Sequence, residues 1–187
     1  WLFWLGYLAA TLALPLLEPR GAFRLVDQSC ASGTGLPAPS GQVAVGLCTI
    51  GPRLEQECAS RLTVGETLLA LLLDGIGSAA TEAAADSLNA LVCNEAHRRG
   101  LSTEPRESPG YGTWDITCQP ALLGLLPAEE LGVSLTPGLM MTPRKSVSFA
   151  VRLTNRPVQA GSRCERCNLV SCRHRRQVET LPALEIP

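Results

Sequence analysis

The stretch from Thr63 to Gly100 constrains the fold more than any other part of the chain. It is rich in Ala and Leu, and Leu68, Leu69, Leu72, Leu73, Ile76, Ala80, Ala83 and Ala84 recur at helical spacing. Thr63-Val-Gly-Glu66 has the form of a capping box, in which a Thr hydroxyl and a Glu carboxylate each satisfy an orphan backbone N–H. Gly100 stands where a left-handed residue would stop the helix after Arg99. Gly75 and Gly77 each weaken the interior by about 1 kcal/mol relative to Ala, which makes sense if another backbone or a ligand comes close there.

Around this helix the period changes. Gln42–Thr49 alternates Val43, Val45 and Leu47 with Ala44, Gly46 and Cys48. The second face is small yet still apolar, so the pattern predicts a strand covered on both sides, ended by Gly51-Pro52. Ser146–Leu153 sets Val147, Phe149, Val151 and Leu153 against Ser148, Ala150 and Arg152, which predicts a half-buried strand. Leu131–Thr136 reads as a short strand and Thr117–Leu126 as a short apolar helix before a turn at Pro127. Residues 28–41 and Ser102–Asp115 carry the Gly, Pro and Ser of loops. Few strands separated by helices predict an α+β domain. No Gly-rich loop joins a strand to a helix, which argues against a doubly wound nucleotide fold. The chain is expected to divide into an N-terminal apolar segment (1–27), a domain (28–155) and a Cys/Arg-rich tail (156–187).

Composition narrows the classes. With 187 residues, 45% hydrophobic and 18% charged, the chain suits one globular domain. A net charge of -1 and an aromatic content of 4% argue against a nucleic-acid partner. Trp1–Leu17 is uncharged, at the lower limit of about 17 residues for a membrane span. Gly6 and Pro15 interrupt it, no basic residue precedes it, and no signal-peptide cleavage site is visible. It is expected to be a buried segment, with a truncated membrane anchor as the alternative. Cys30, Cys48, Cys58, Cys93 and Cys118 are scattered, whereas Cys164, Cys167 and Cys172 crowd the end. An even count of eight suits the disulfides of a secreted protein. Several of the scattered cysteines lie inside apolar patterns, however, where a free thiol packs as a small hydrophobe. A reducing, cytoplasmic setting is the expectation.

Chemistry concentrates in the loop Arg106-Glu-Ser-Pro-Gly-Tyr111. Pro109-Gly110 suits a type II turn, with Gly110 at positive φ. Arg106 offers a planar fork for a carboxylate, and Tyr111 an apolar face with a polar tip. Such a loop can hold an amino-acid-like ligand, although a surface turn carrying an Arg is its commoner meaning. Glu82 lies in Ala79-Ala-Thr-Glu-Ala-Ala-Ala85, where small neighbours would let an ammonium or sulfonium approach it. A solvated helical Glu is the plainer reading.

The stretch from about Val43 to Leu153 resembles the reactivation domain of cobalamin-dependent methionine synthase, especially the short stand-alone versions found in anaerobes. The phrases that carry the likeness are Thr49-Ile-Gly51, Asp74-Gly-Ile-Gly-Ser78, Ser108-Pro-Gly-Tyr-Gly-Thr-Trp114, Leu131-Gly-Val-Ser-Leu-Thr136 and Met140-Met-Thr-Pro-Arg-Lys-Ser-Val-Ser148. Trp4-Leu-Gly-Tyr7 resembles a phrase near the start of the stand-alone proteins. The resemblance implies a twisted antiparallel sheet with helices, one of them long and central. It implies S-adenosylmethionine cradled by Arg106, Pro109, Gly110 and Tyr111, with Glu82 as the helix acid, and Lys145 and Ser146 facing the corrinoid or partner. Two departures stand out. An acidic residue one turn before the helix acid is here Ser78, and the paired tyrosines after the last strand have no counterpart after Leu153.

The function so implied is reactivation of cob(II)alamin on a partner methyltransferase, by one electron and the methyl group of S-adenosylmethionine. No general base is needed, so the protein's task is to position the two centres. The implied partners are a cobalamin-binding methionine synthase or related corrinoid protein and an electron-donor protein. The tail Cys164-x-x-Cys167-x4-Cys172-Arg-His174 is a separate constellation, whose thiolates suit zinc or an iron–sulfur cluster, with His174 as a fourth zinc ligand. Its arginines would otherwise leave acidic, redox-labile thiols. Two other readings remain open from sequence: a non-catalytic docking or scaffold module for a corrinoid protein, and a membrane-anchored, cysteine-rich metal-binding protein.

Overall fold

The computed structural model of the chain describes residues 2–27, 35, 42–112 and 114–156. Its elements are α1 (Leu2–Ala13), β1 (Arg20–Asp27), β2 (Gln42–Thr49), α2 (Arg53–Thr63), α3 (Thr67–Arg98), β3 (Ser102–Thr103), α4 (Gln119–Leu123), β4 (Ser134–Leu135), β5 (Met141–Thr142) and β6 (Ser146–Thr154). The main sheet runs β1-β2-β6-β3 with antiparallel pairings, and β4 and β5 form a separate antiparallel pair. The architecture is α+β with one long helix.

The two faces of β2 explain the layering. Val43, Val45 and Leu47 are buried with Trp114, Leu122, Leu123 and Leu126 around α4. Ala44 and Cys48 are buried on the other face, against Ala85, Leu88, Val92 and Ala96 of α3. Small residues on both partners let the helix lie close to the sheet. Gly46 goes further, because the ring of Phe149 fills the place where a side chain would be. The strand covered on both sides is therefore observed as expected. The half-buried strand is a correction: Ser148 and Ala150 of β6 are buried too, because α4 covers that second face.

The expected capping box does not form. Thr63 closes α2, where its hydroxyl donates to the Ser60 carbonyl at 2.7 Å, and Gly65 turns the chain at φ +83°. The Glu66 carboxylate instead accepts from Arg61 at 2.7 Å. α2 escapes the apolar pattern because it turns only Leu54 and Cys58 into the core. At the far end Gly100 does stop α3, at φ +72°. The expected close approach is present at Gly77, where a Cβ would meet Leu54 at 2.8 Å and the Lys145 stem at 3.3 Å, but nothing approaches Gly75.

α1 buries one face only. Ala9 and Ala13 pack with Ile50, Leu54, Cys58 and Leu73, while Trp4, Tyr7 and Leu14 are exposed. β1, grouped with the N-terminal segment in the sequence reading, pairs with β2 from Arg20↔Thr49 to Asp27↔Gln42 and so belongs to the sheet. By length and composition α3 would suffice to cross a membrane. Its second half, however, uses Ala85, Leu88, Val92 and Ala96 to cover the sheet.

Candidate functional site

Arg106 is held in place by strand pairing that the sequence did not announce. β3 pairs with the end of β6, Glu104 N–H donates to the Arg152 carbonyl at 2.9 Å, and Glu107 exchanges two bonds of 2.8 Å with Ala150. The segment expected as a loop thus begins as an edge strand. It leaves the sheet at Ser108, where Tyr111 N–H donates to the Ser108 carbonyl at 3.2 Å and Gly110 takes φ +84°. That is the type II turn expected of Pro109-Gly110.

Alternation along this edge puts Arg106 on the α3 side of the sheet. Its guanidinium lies over the Phe149 ring, 5.8 Å from the centroid. It pairs with Glu82 Oε2 at 2.7 Å and Asp86 Oδ1 at 3.0 Å. The cation is nearly buried, with 11% of its side chain exposed, whereas the acids are 65% and 75% exposed. Glu82 and Asp86 are one helical turn apart, so they address the same point from one face of α3.

A cleft of about 570 Å³ opens beside this cluster and passes around the edge of β6. Glu82, Arg106, Pro109, Gly110, Tyr111 and Ser146 all line it, so the structure brings six of the predicted residues together. On the α4 side the lining continues through Ile116, Gln119, Ser148 and the β4–β5 hairpin. Leu139 in that hairpin stands at φ +62°, a strained value for a residue with a side chain, and its carbonyl accepts from Gln119 Nε2 at 3.0 Å. Asp115 caps the turn that carries Ile116, accepting from Thr117 N–H at 2.8 Å and the Thr117 hydroxyl at 2.7 Å. The Thr117 hydroxyl and N–H hold the Asp115 carboxyl below its ordinary range. Behind the site, burial pushes the Cys48 thiol up to about 11, against the opposing pull of a backbone hydrogen bond and of Arg106.

Lys145 does not line the cleft. Its ammonium turns to α3, 2.8 Å from Asp74 Oδ1 and 2.8 Å from Ser78 Oγ. Ser146 is buried, and its hydroxyl donates to the Pro143 carbonyl at 2.7 Å with Thr49 Oγ1 at 2.9 Å. Of the pair expected to face a corrinoid or partner, Ser146 thus lines the cleft from a buried position, while Lys145 is engaged with α3. Cys164, Cys167, Cys172 and His174 lie outside the described residues. Among the described residues no group of three or more His, Cys, Asp or Glu is placed to hold a metal. Asp86, Gln119, Leu139 and Ser148 were not singled out from sequence. Only Asp86 had a readable signal, its i, i+4 relation to Glu82.

No family profile matches the chain, and no curated protein matches it in sequence. Its fold does match a crystal structure of the MetH reactivation domain bound to AdoHcy, with a TM-score of 0.64. The likeness shows the fold. The match covers 85% of this chain and 67% of the other at 15% identity, a distance at which architecture is shared and ligands have to be argued from the site.

Proposed function

We propose that the chain binds S-adenosylmethionine in this cleft and serves the reductive remethylation of an oxidised corrinoid carried by a partner methyltransferase. The observation that carries the proposal is the Arg106–Glu82 pair on the cleft rim, with opposite charges 2.7 Å apart beside a Pro-Gly-Tyr turn. An α-amino acid presents a carboxylate and an ammonium side by side, and this pair complements both. Both acids are largely exposed, so a ligand can take their place on Arg106 without moving the buried cation. A ligand carboxylate can therefore take the fork of Arg106 while the ammonium takes Glu82. The buried hydroxyl of Ser148, which has no hydrogen-bond partner among the described residues, also fits a polar ligand at this cleft.

S-adenosylmethionine would supply a methyl group on a sulfonium leaving centre. The chain's own contribution is orientation: Arg106 is fixed by Phe149 and by the Glu107–Ala150 bonds, and the turn at Gly110 fixes one wall. Holding a donor in line for attack by a partner's metal needs such rigidity and no proton transfer. The partner in this reading is a cobalamin-binding methionine synthase or related corrinoid protein, with a separate electron donor. A zinc or iron–sulfur site on Cys164, Cys167 and Cys172 stays a separate proposal, decided by elemental analysis of anaerobically purified protein.

The second reading is a docking module that binds a corrinoid protein without delivering methyl groups. Ser78 favours it, since its hydroxyl is engaged by Lys145 and offers no acid to a ligand amine. Calorimetry separates the two. S-adenosylmethionine should bind the wild-type protein, and Arg106→Ala should weaken binding by about 2 kcal/mol or more through loss of a charge-assisted pair. No heat of binding with the wild type, alone or with a cobalamin-loaded methionine synthase, would leave the docking reading in place.

A further inference from the structure

The cleft has a second half that the charged cluster does not explain. It lies across the edge of β6 from Arg106, on the side that carries α4. Side chains alternate along β6, so Phe149 meets Arg106 on one face while Ser148 and Ala150 turn to the other. Ser148 lines the cleft, is 2% exposed, and its Oγ has no hydrogen-bond partner among the described residues. Burying an unsatisfied hydroxyl is unfavourable, so such a group calls for a partner.

The backbone beside it is open as well. Because Ala150 uses both its N–H and its carbonyl on Glu107, the outward-pointing residues of that edge are Ala150, Ser148 and Ser146 in turn. The pairing chain departs at the Pro109-Gly110 turn, so among the described residues Ser148 has no strand neighbour on that edge. A donor, an acceptor and a hydroxyl are thus gathered at one residue. Around them the lining is largely apolar, with Ile116, Leu139, Met140 and Met141, and Arg144 is its one charged residue. Flat groups that offer both hydrogen-bond donors and acceptors suit such a surface.

Resting on the S-adenosylmethionine reading above, we propose that Ser148 and the open edge of β6 recognise the uncharged nucleoside half of that ligand. Arg106 and Glu82 then take the amino-acid half on the opposite side of the strand edge. Ser148 is a specificity-determining residue here, and the hydroxyl costs the unliganded protein stability that the ligand restores.

That opposition of signs makes the test. Ser148→Ala and the near-isosteric Ser148→Cys are compared with wild type for melting temperature without ligand, for AdoHcy affinity by calorimetry, and for displacement of AdoHcy by adenosine. The expected result is a melting temperature unchanged or raised, with AdoHcy and adenosine each binding about tenfold more weakly, as loss of one buried hydrogen bond worth about 1.4 kcal/mol implies. Equal AdoHcy affinity in wild type and variants would overturn the proposal. So would a loss confined to AdoHcy, or adenosine failing to compete in the wild type, because the contact would then not lie on the nucleoside half. A lowered melting temperature in both variants would assign Ser148 a structural role instead. Failure of AdoHcy to bind the wild-type protein at all is a different result, and it refutes the ligand reading itself.

Discussion

Gly46→Ala is the sharpest single perturbation this fold offers. The added Cβ would stand 2.5 Å from Phe149 Cζ and 2.9 Å from both Cε atoms. Carbon atoms in contact prefer about 3.5–4.0 Å, so the ring must withdraw by about 1 Å. It has nowhere easy to go: Phe149 is fully buried in one cluster with Ala85, Leu88 and Val92, and the Arg106 guanidinium lies over the ring. Overpacking of this kind costs about 1–3 kcal/mol. Displacing the ring from beneath Arg106 adds about 0.5–2 kcal/mol from the cation–π contact. The lower backbone entropy of Ala offsets about 0.5–1 kcal/mol. The net expectation is a loss of about 2 kcal/mol, which shifts a urea midpoint by about 1 M at the usual dependence for a domain of this size. Urea denaturation of wild type and variant measures it directly. Gly46→Ala combined with Phe149→Leu should recover part of the loss by making room. A single variant within about 0.5 kcal/mol of wild type, the scatter expected of an inconsequential substitution, would refute the argument from close packing.

Three further predictions follow from the site. Gly110→Ala should destabilise by about 1 kcal/mol or more, because φ of +84° is strained for Ala and its Cβ would meet Ile116 at 3.3 Å; an unchanged urea midpoint would remove the turn from the argument. Asp115, whose folded pKa is lowered by Thr117, contributes stability that is fully present above the ordinary aspartate value of about 3.9 and is lost as pH falls through its lower folded value. Asp115→Asn should lose that contribution at neutral pH and converge with wild type in acid, and a carboxyl seen by NMR to titrate at or above the ordinary value would contradict this. Cys48, fully buried with its thiol pushed up to about 11, should resist maleimide at pH 8 until the protein is unfolded, while half-exposed Cys93 and Cys118 react first. Labelling of Cys48 at the rate of Cys93 would show the β2–α3 interface to be open.

How much was legible varies by element. β2 could be read to its ends because burial on both faces leaves an unbroken apolar run with one small side, and that smallness is itself the imprint of a close helix. Gly100 and Gly110 were legible because positive φ is a local demand that few residues other than Gly meet without strain. α2 was not, since a helix that turns only Leu54 and Cys58 inward leaves little apolar signal. Thr63 and Glu66 satisfied the letter of a capping box, yet Gly65 at φ +83° bends the chain between them, and the two residues serve different helices.

The sequence by itself determined the class of the fold, the strand at the centre of the sheet and the local turn that presents Tyr111. It also held every residue of the Arg106 loop, because contiguous residues share a site wherever the loop goes. Only the tertiary structure decided what Arg106 faces. Glu82 and Asp86 reach it across 24 and 20 positions of chain, and Ser148 reaches the same cleft from β6, because antiparallel pairing of Glu107 with Ala150 lays the loop along the strand edge. Periodicity records which side of an element is buried. It does not record the register between elements, and it is register that gathers a cation, two acids and an unsatisfied hydroxyl around one opening.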